Sequence, residues 1–335
     1  MQNRTRKIKS LILAGLIIVC AIFNFGCNKS KDSHLYRDKS DNFSVHYLSV
    51  GQGDCIFMEF SDGKTMLIDC GENNLNLAEF IVKFIKELQV DKIDYFLLSH
   101  PDSDHTGNAN AIIENFSVET IYIPDIIDSK LYLFPTYSTF LENAKNKNLN
   151  TKISHYYNYI QGKDYFIGFL SPSPSTDTDS SYTDFNSAIT PNSSQINAMS
   201  PIIYLEVLGK RFLFTGDATK SQEQLVLSNY QTQSYKKYFN KDISLENIDF
   251  LKVGHHGGED STSLEFLTLT KPKNAIISVG GANNYGHPSD LVLERLQLIN
   301  EDIGIYRTDY DGTISVEIDK NGIANIITDK YLNNI

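Results

Sequence analysis

The stretch SHPDSDHTGN, residues 99–108, follows the apolar run Tyr95–Leu98 and decides how the rest of the chain is read. It sets His100, Asp102, Asp104 and His105 within six residues. Four nitrogen and oxygen donors this close exceed what a turn requires, and neighbouring carboxylates repel one another unless a cation lies between them. Alternation lets one short loop aim several of them at a common point. Asp104 or Thr106 also suits the N-cap of a helix over 106–115, but that role accounts for only one residue. The loop is therefore expected to hold a divalent metal ion.

The same layout, an apolar strand running into a polar turn, recurs along the chain. RFLFTGDAT (211–219) ends in Gly216-Asp217, with the carboxylate placed to bridge two ions. LKVGHHGG (251–258) sets His255 and His256 after a strand, and YGHPS (285–289) places His287 beyond another. Asp69 closes the strand TMLIDCG as a turn carboxylate. Turns after strands are where binding groups collect in α/β folds. Lys252 and Arg307 are candidate phosphate contacts; His287 is a candidate proton donor or phosphate contact.

Strands are expected at 43–50, 55–60, 65–69, 94–98, 119–123, 165–170, 201–208, 211–215, 249–253, 274–279, 303–307 and 312–318. Helices are expected at 75–88, 106–115, 137–146, 219–229, 263–270 and 289–300. Hairpins at both ends, with a mixed order between, argue for two sheets with helices outside, not one doubly wound sheet. Asp62-Gly63 predicts a two-residue turn that pairs 55 with 70, at a spacing that favours two buried thiols over a Cys55–Cys70 disulfide. Residues 171–200, rich in Ser, Thr, Asp and Pro, read as a flexible loop, either a cover over the site or plain disorder.

Composition narrows the class. With 41% hydrophobic and 21% charged residues in 335, the chain is neither collagen-like, mostly disordered, nor a polytopic membrane protein. Arg4, Arg6, Lys7 and Lys9 precede the apolar run 11–23, and Gly26-Cys27 follows. This is the layout of an export signal over 1–26, with Cys27 a candidate lipidation site or part of an uncleaved anchor. Residues 27–42 then read as a polar tether and 43–330 as the folded domain. Removing 1–26 takes away four positive and no negative charges, moving the net charge from −11 to −15. Such a balance argues against a basic nucleic-acid groove, although bound cations reverse the sign locally.

Seven blocks together resemble the metallo-β-lactamase fold hydrolases, specifically the ComEC-like subgroup, which includes the extracellular hydrolase domain of DNA-uptake proteins and phosphorylcholine esterases. They are HYLSVGQGDCIFME (46–59), MLIDCG (66–71), LLSHPDSDHTGN (97–108), RFLFTGDAT (211–219), LKVGHHGGEDSTS (251–263), ISVGGANNYGHPS (277–289) and YRTDYDGTI (306–314). The resemblance implies an α/β, four-layer αββα sandwich with its site at one edge of the sheets. It implies one or two divalent ions (Zn or Mn) on His100, Asp102, Asp104, His105, Asp217 and His255, with His256 the alternative to His255. Asp102 stands where the wider superfamily has a second His, and Asn197 and Ser200 stand where many members carry a further one. A site poorer in imidazole makes the harder Mn credible.

The expected function is exported, metal-dependent phosphodiester hydrolysis by an activated water, with Asp104 and His287 in catalytic roles. Asn197, Ser200, His256, Lys252 and Arg307 are the expected substrate contacts. The substrate is a phosphoester, either linked to the cell wall or DNA. The membrane is met through the N-terminal lipid or anchor, and no protein partner is evident. A single-strand nuclease and a non-catalytic metal-binding lipoprotein are the alternatives.

Overall fold

The computed structural model describes residues 42–329 apart from 175, 178–180 and 189. The leader, Cys27 and the tether as far as 41 lie outside those residues. Among the described residues no helix is long and apolar enough to cross a membrane.

Fifteen strands are described: β1 (Phe43–Tyr47), β2 (Ile56–Glu59), β3 (Thr65–Ile68), β4 (Lys92–Leu97), β5 (Ser117–Ile123), β6 (Thr151–Ile153), β7 (Tyr159–Gln161), β8 (Tyr165–Phe169), β9 (Ile203–Val207), β10 (Lys210–Phe214), β11 (Phe250–Lys252), β12 (Asn274–Ile277), β13 (Gly304–Arg307), β14 (Ile314–Ile318) and β15 (Ala324–Thr328). One sheet runs β15-β14-β1-β2-β3-β4-β5-β6 and the other β13-β12-β11-β10-β9-β8-β7. In the first, β3 to β6 are parallel; in the second, β10 to β13 are parallel. Hairpin-linked antiparallel strands complete both sheets.

Side-chain alternation builds the layers. Ile56, Met58, Met66, Ile68 and Leu97 point into a core between the sheets, where Leu205, Phe212, Phe214 and Phe250 meet them. Their neighbours Phe57, Leu67, Phe96 and Leu98 point the other way, against Ile81, Ile85, Ile112 and Phe140 of the outer helices. Leu213, Leu251, Ala275 and Ile277 pack likewise on Val226, Phe266 and Leu296. Strands buried on both faces need apolar side chains at every position, which is why the central runs are continuous, not alternating. Each such side chain contributes roughly 1.5–3 kcal/mol on burial. The result is helix, sheet, sheet, helix, the four-layer α/β sandwich expected.

Strands β6, β7 and β15 lie outside the expected set, and two further details differ from the sequence reading. The hairpin register is Ile56↔Ile68 and Glu59↔Thr65, one residue away from the predicted pairing. Phe60 closes the turn twice, accepting from Gly63 and donating to Lys64 O, with Gly63 at φ +80. This is a three-residue loop with a left-handed glycine, so the strands slip by one. Cys55 and Cys70 are both free and buried, as expected. Residues 171–200 are not a loop without structure: they carry helices Ser181–Ser187 and Ser193–Asn197 and bury Tyr182, Phe185 and Met199.

Candidate metal centre

The parallel strands of both sheets end at one edge, and every turn singled out above leaves from it. Asp69 follows β3, His100 follows β4, Asp217 follows β10, the paired histidines follow β11 and His287 lies beyond β12. The sheets thus bring together residues more than 200 positions apart, Asp69 and His287.

The first half of the site is the loop 99–106, which ends in the short helix Ser103–Thr106. Thr106 Oγ1 donates to Asp102 O at 3.1 Å, and Cys70 N donates to His105 O at 2.8 Å, so the turn is pinned from within and from β3. Gly53 is obligatory beside it: a Cβ there would lie 2.1 Å from Asp104 O. Asp69 accepts from Ser99 N and Ser99 Oγ, both at 2.7 Å, and its Oδ2 meets His105 Nδ1 at 2.8 Å. A carboxylate on Nδ1 fixes the proton there and turns the Nε2 lone pair toward the cleft.

The second half is strained. His255 (φ +47), His256 (φ +53) and Gly257 (φ +87) are consecutive left-handed residues, a conformation that costs roughly 1–3 kcal/mol for each non-glycine. Glu223 holds the far side of this turn, its buried carboxylate accepting from Thr262 N at 2.5 Å and Ser263 N at 2.9 Å. His256 Nδ1 donates to Ser278 O at 2.8 Å, which again frees Nε2. Asp217 N donates to Ser200 Oγ at 3.2 Å, and the same hydroxyl lies 3.2 Å from His100 Nδ1.

Two groups of ligand atoms, His100–His105–Asp217 and Asp104–His105–His256, each lie within 4.8 Å. Nε2 of His100, His105 and His256 and Oδ1 of Asp217 are buried without a hydrogen-bond partner. Orphaned buried polar atoms are rare because each costs desolvation energy, so four facing one cleft fit a bound cation. Burial, with His105 alongside, holds the His100 imidazole well below its ordinary pKa, leaving it neutral with a free lone pair. For His105, burial opposes the charge, but Asp217, Asp104 and Asp69 outweigh it and raise the pKa well above the ordinary value. For Asp217, burial is outweighed by His256 and His105, which hold the carboxyl well below the usual range.

The remaining expected residues sort by position. Asp102 Oδ2 lies 3.7 Å from His100 Nε2, outside the two tight groups; burial, then Asp104, raise its pKa to about 6. The structure brings His256, and not His255, into the Asp104–His105 group. His255 stands at the rim, its Nδ1 on Asp260 at 2.7 Å and its Nε2 3.2 Å from Asn197 Nδ2, though still 3.8 Å from Asp217. His287 lies beside it, ring centroids 5.1 Å apart, with its Nδ1 unpartnered. Burial, then His255 and His256, hold its pKa below the ordinary value. Lys252 does not reach the cleft: it is fully buried, with Nζ 2.6 Å from Asp54 Oδ2. The Arg307 guanidinium is taken up by a two-bond fork to Asp309, at 3.0 and 2.7 Å. Asp54, Ser99, Asp260 and the Ser278 carbonyl were not anticipated. The Asp54 signal was present in the block VGQGDC, where an acid between glycine and an apolar strand has no surface role.

A family model described as the Metallo-beta-lactamase superfamily matches residues 48–177. The chain is 28% identical over 94% of its length to "ComE operon protein 3" of Bacillus subtilis, covering 37% of that protein. It is 26% identical over 76% of its length to "Recombination protein 2" of Haemophilus influenzae, covering 26% of it. "Competence protein ComA" of Neisseria gonorrhoeae is 25% identical over 72% of this chain, which covers 28% of that protein. The chain thus spans well under half of these relatives. Solved structures that resemble it include the metallo hydrolase Igni18 of Ignicoccus hospitalis (13% identity, TM-score 0.45, 81% of this chain and 98% of that one). Another is CmlA, a diiron β-hydroxylase of Streptomyces venezuelae (11% identity, TM-score 0.46, 80% and 52%). The layer order and the edge site agree with the family match: residues 48–177 resemble the Metallo-beta-lactamase superfamily, whose fold the two sheets and outer helices share. The similarity to the competence proteins is consistent with a ComEC-like protein of this fold.

Proposed function

We propose that the chain is an exported phosphodiesterase whose divalent ions are held by His100, Asp104, His105, Asp217 and His256, with Asp102 and His255 flanking them. The observation that carries the metal assignment is the set of four buried, partnerless atoms on His100, His105, His256 and Asp217. A divalent ion bound there supplies Lewis acidity and lowers the pKa of water toward neutrality. Asp69 and the Ser278 carbonyl keep the protons of His105 and His256 on Nδ1, so that both rings present Nε2. The Asn197 amide and the His287 ring line the rim, where one can donate to a phosphoryl oxygen and the other to the leaving oxygen. A carboxylate-rich donor set suits hard ions and anionic oxygen substrates, and it separates this site from one built on paired H-x-H imidazoles. A small or wall-attached phosphodiester fits an acidic protein better than a long nucleic acid does.

A second reading, cleavage of single-stranded DNA, draws support from the competence and recombination names of the relatives. The test is metal analysis of the purified protein, with hydrolysis assays on bis-p-nitrophenyl phosphate, a monoester, single-stranded DNA and a β-lactam. We expect diester cleavage dependent on Mn or Zn. Activity that survives the double change His105→Ala and Asp217→Asn would refute the assignment, and metal binding without hydrolysis would favour the non-catalytic alternative. Export as a lipoprotein predicts palmitate labelling that is lost in Cys27→Ser.

A further inference from the structure

Beneath the ligands lies a buried ion pair that none of the roles above uses. Lys252, the last residue of β11, and Asp54, in the loop entering β2, are both fully buried, with Nζ 2.6 Å from Oδ2. The ammonium also donates to Gly216 O at 3.1 Å, the peptide just before Asp217. Asp54 Oδ1 lies 3.9 Å from His256 Nδ1, and the backbone carbonyl of Asp54 accepts from Gly71 N at 2.8 Å. Asp54 also falls within 4.8 Å of the ligand atoms of Asp69 and His105. The pair therefore touches the turns after β3, β10 and β11 at once, and it joins the first sheet to the second directly under the cleft.

We propose that Lys252 and Asp54 are positioning residues for the metal centre: one inter-sheet ion pair sets Asp217 and His256, from the second sheet, at coordinating distance from Asp104 and His105 of the first. The apolar core between the sheets cannot set this distance alone, because hydrophobic contact is non-directional. An ion pair at contact distance fixes the separation of the two strand ends that carry its charges. A buried pair is weak evidence for added stability, since well-packed apolar residues often replace one without loss. Its retention here is explained by the three turns it aligns.

The proposal rests on the metal-centre reading, and the experiment separates the two. Equilibrium affinity for Co²⁺ and the visible spectrum of the Co²⁺ protein are measured for the wild type, for D54N and for the double variant K252M/D54L. The melting temperature of each metal-free protein is recorded alongside. Removing both charges together avoids leaving one of them buried and unpaired, so K252M/D54L is expected to melt near the wild-type temperature. Residues that support ligands typically contribute 10–100-fold to metal affinity. We expect a loss of about that size, with an altered Co²⁺ spectrum, in both variants. Wild-type affinity and spectrum in K252M/D54L would overturn the positioning role, and would reduce the pair to packing. Failure of the wild-type protein to bind Co²⁺ at all would overturn the metal-centre reading, and this proposal with it.

Discussion

Strand β4 carries a cluster of charges at each end, and the two differ in what their polar atoms have to bind. At its start, Asp94 accepts from Lys64 Nζ at 2.7 Å, Lys92 Nζ at 2.8 Å and Thr65 N at 3.0 Å. Both Asp94 oxygens are thereby taken up, and neither is left buried without a partner. Beyond its other end, His100 and His105 join Asp217 and His256 with nitrogen and oxygen atoms that face one another and lack partners. Both clusters combine carboxylates with basic side chains, so residue types alone do not tell them apart. What distinguishes a ligand site is unsatisfied, buried and convergent polarity.

Three changes at the unsatisfied end should break that contrast, in decreasing order. Asp217→Asn weakens the one carboxylate, among the described residues, that approaches all three of His105, His255 and His256, at 3.4, 3.8 and 3.4 Å. We expect hydrolysis to vanish, and metal content, measured by elemental analysis, to fall further than any supporting residue would cause. His287→Ala removes a rim donor but no member of the two tight groups. Its expected signature is a drop in kcat of about 10²–10⁴-fold with metal content unchanged, read by steady-state kinetics. Asp69→Asn keeps the shape but loses the charge that fixes the His105 proton. We expect metal affinity about 10–100-fold lower in chelator competition, with activity recovering at high metal concentration.

The contrast also shows how far the sequence could be read. Alternating donors in one loop exposed His100, Asp104 and His105, and a strand ending in Gly-Asp exposed Asp217, because local spacing carries that information. Asp54 and Lys252 could not be paired by spacing: they meet only when β2 and β11, in different sheets, are stacked. The same limit made Lys252 look like a phosphate contact. The choice between His255 and His256 depends on three left-handed residues that no pattern of residue types announces. In the fold, the strands with four or more apolar or β-branched residues in sequence were all legible. The three-residue strands β6 and β7 were not, since TKI and YIQ are too short to show a period, nor was β15, whose ANIIT is interrupted by a polar residue. Helix Ser181–Ser187 hid for a related reason: Tyr182 and Phe185 are its anchors, and two residues do not make a pattern.

The satisfied end of β4 gives the smallest effect on function and the sharpest control. Burial opposes ionisation of Asp94, yet Lys64, Lys92 and the Thr65 N–H outweigh it and hold the carboxyl below its ordinary pKa. A carboxyl depressed on folding stabilises the protein at every pH above its unfolded value near 3.9. That contribution is lost as the pH falls through the folded pKa, so it fades below about pH 4. Asp94→Asn removes the charge while keeping an acceptor. Because both lysines are partly exposed, the expected cost is only about 1–2 kcal/mol in urea unfolding at neutral pH. The difference between variant and wild type should shrink as the solution is acidified, because protonation then removes the same charge from the wild type. Metal affinity should not move, since the cluster ends a full strand away from His100. An Asp94→Asn protein that bound metal more weakly would mean that strain at one end of β4 reaches the other, and the two clusters would no longer be independent.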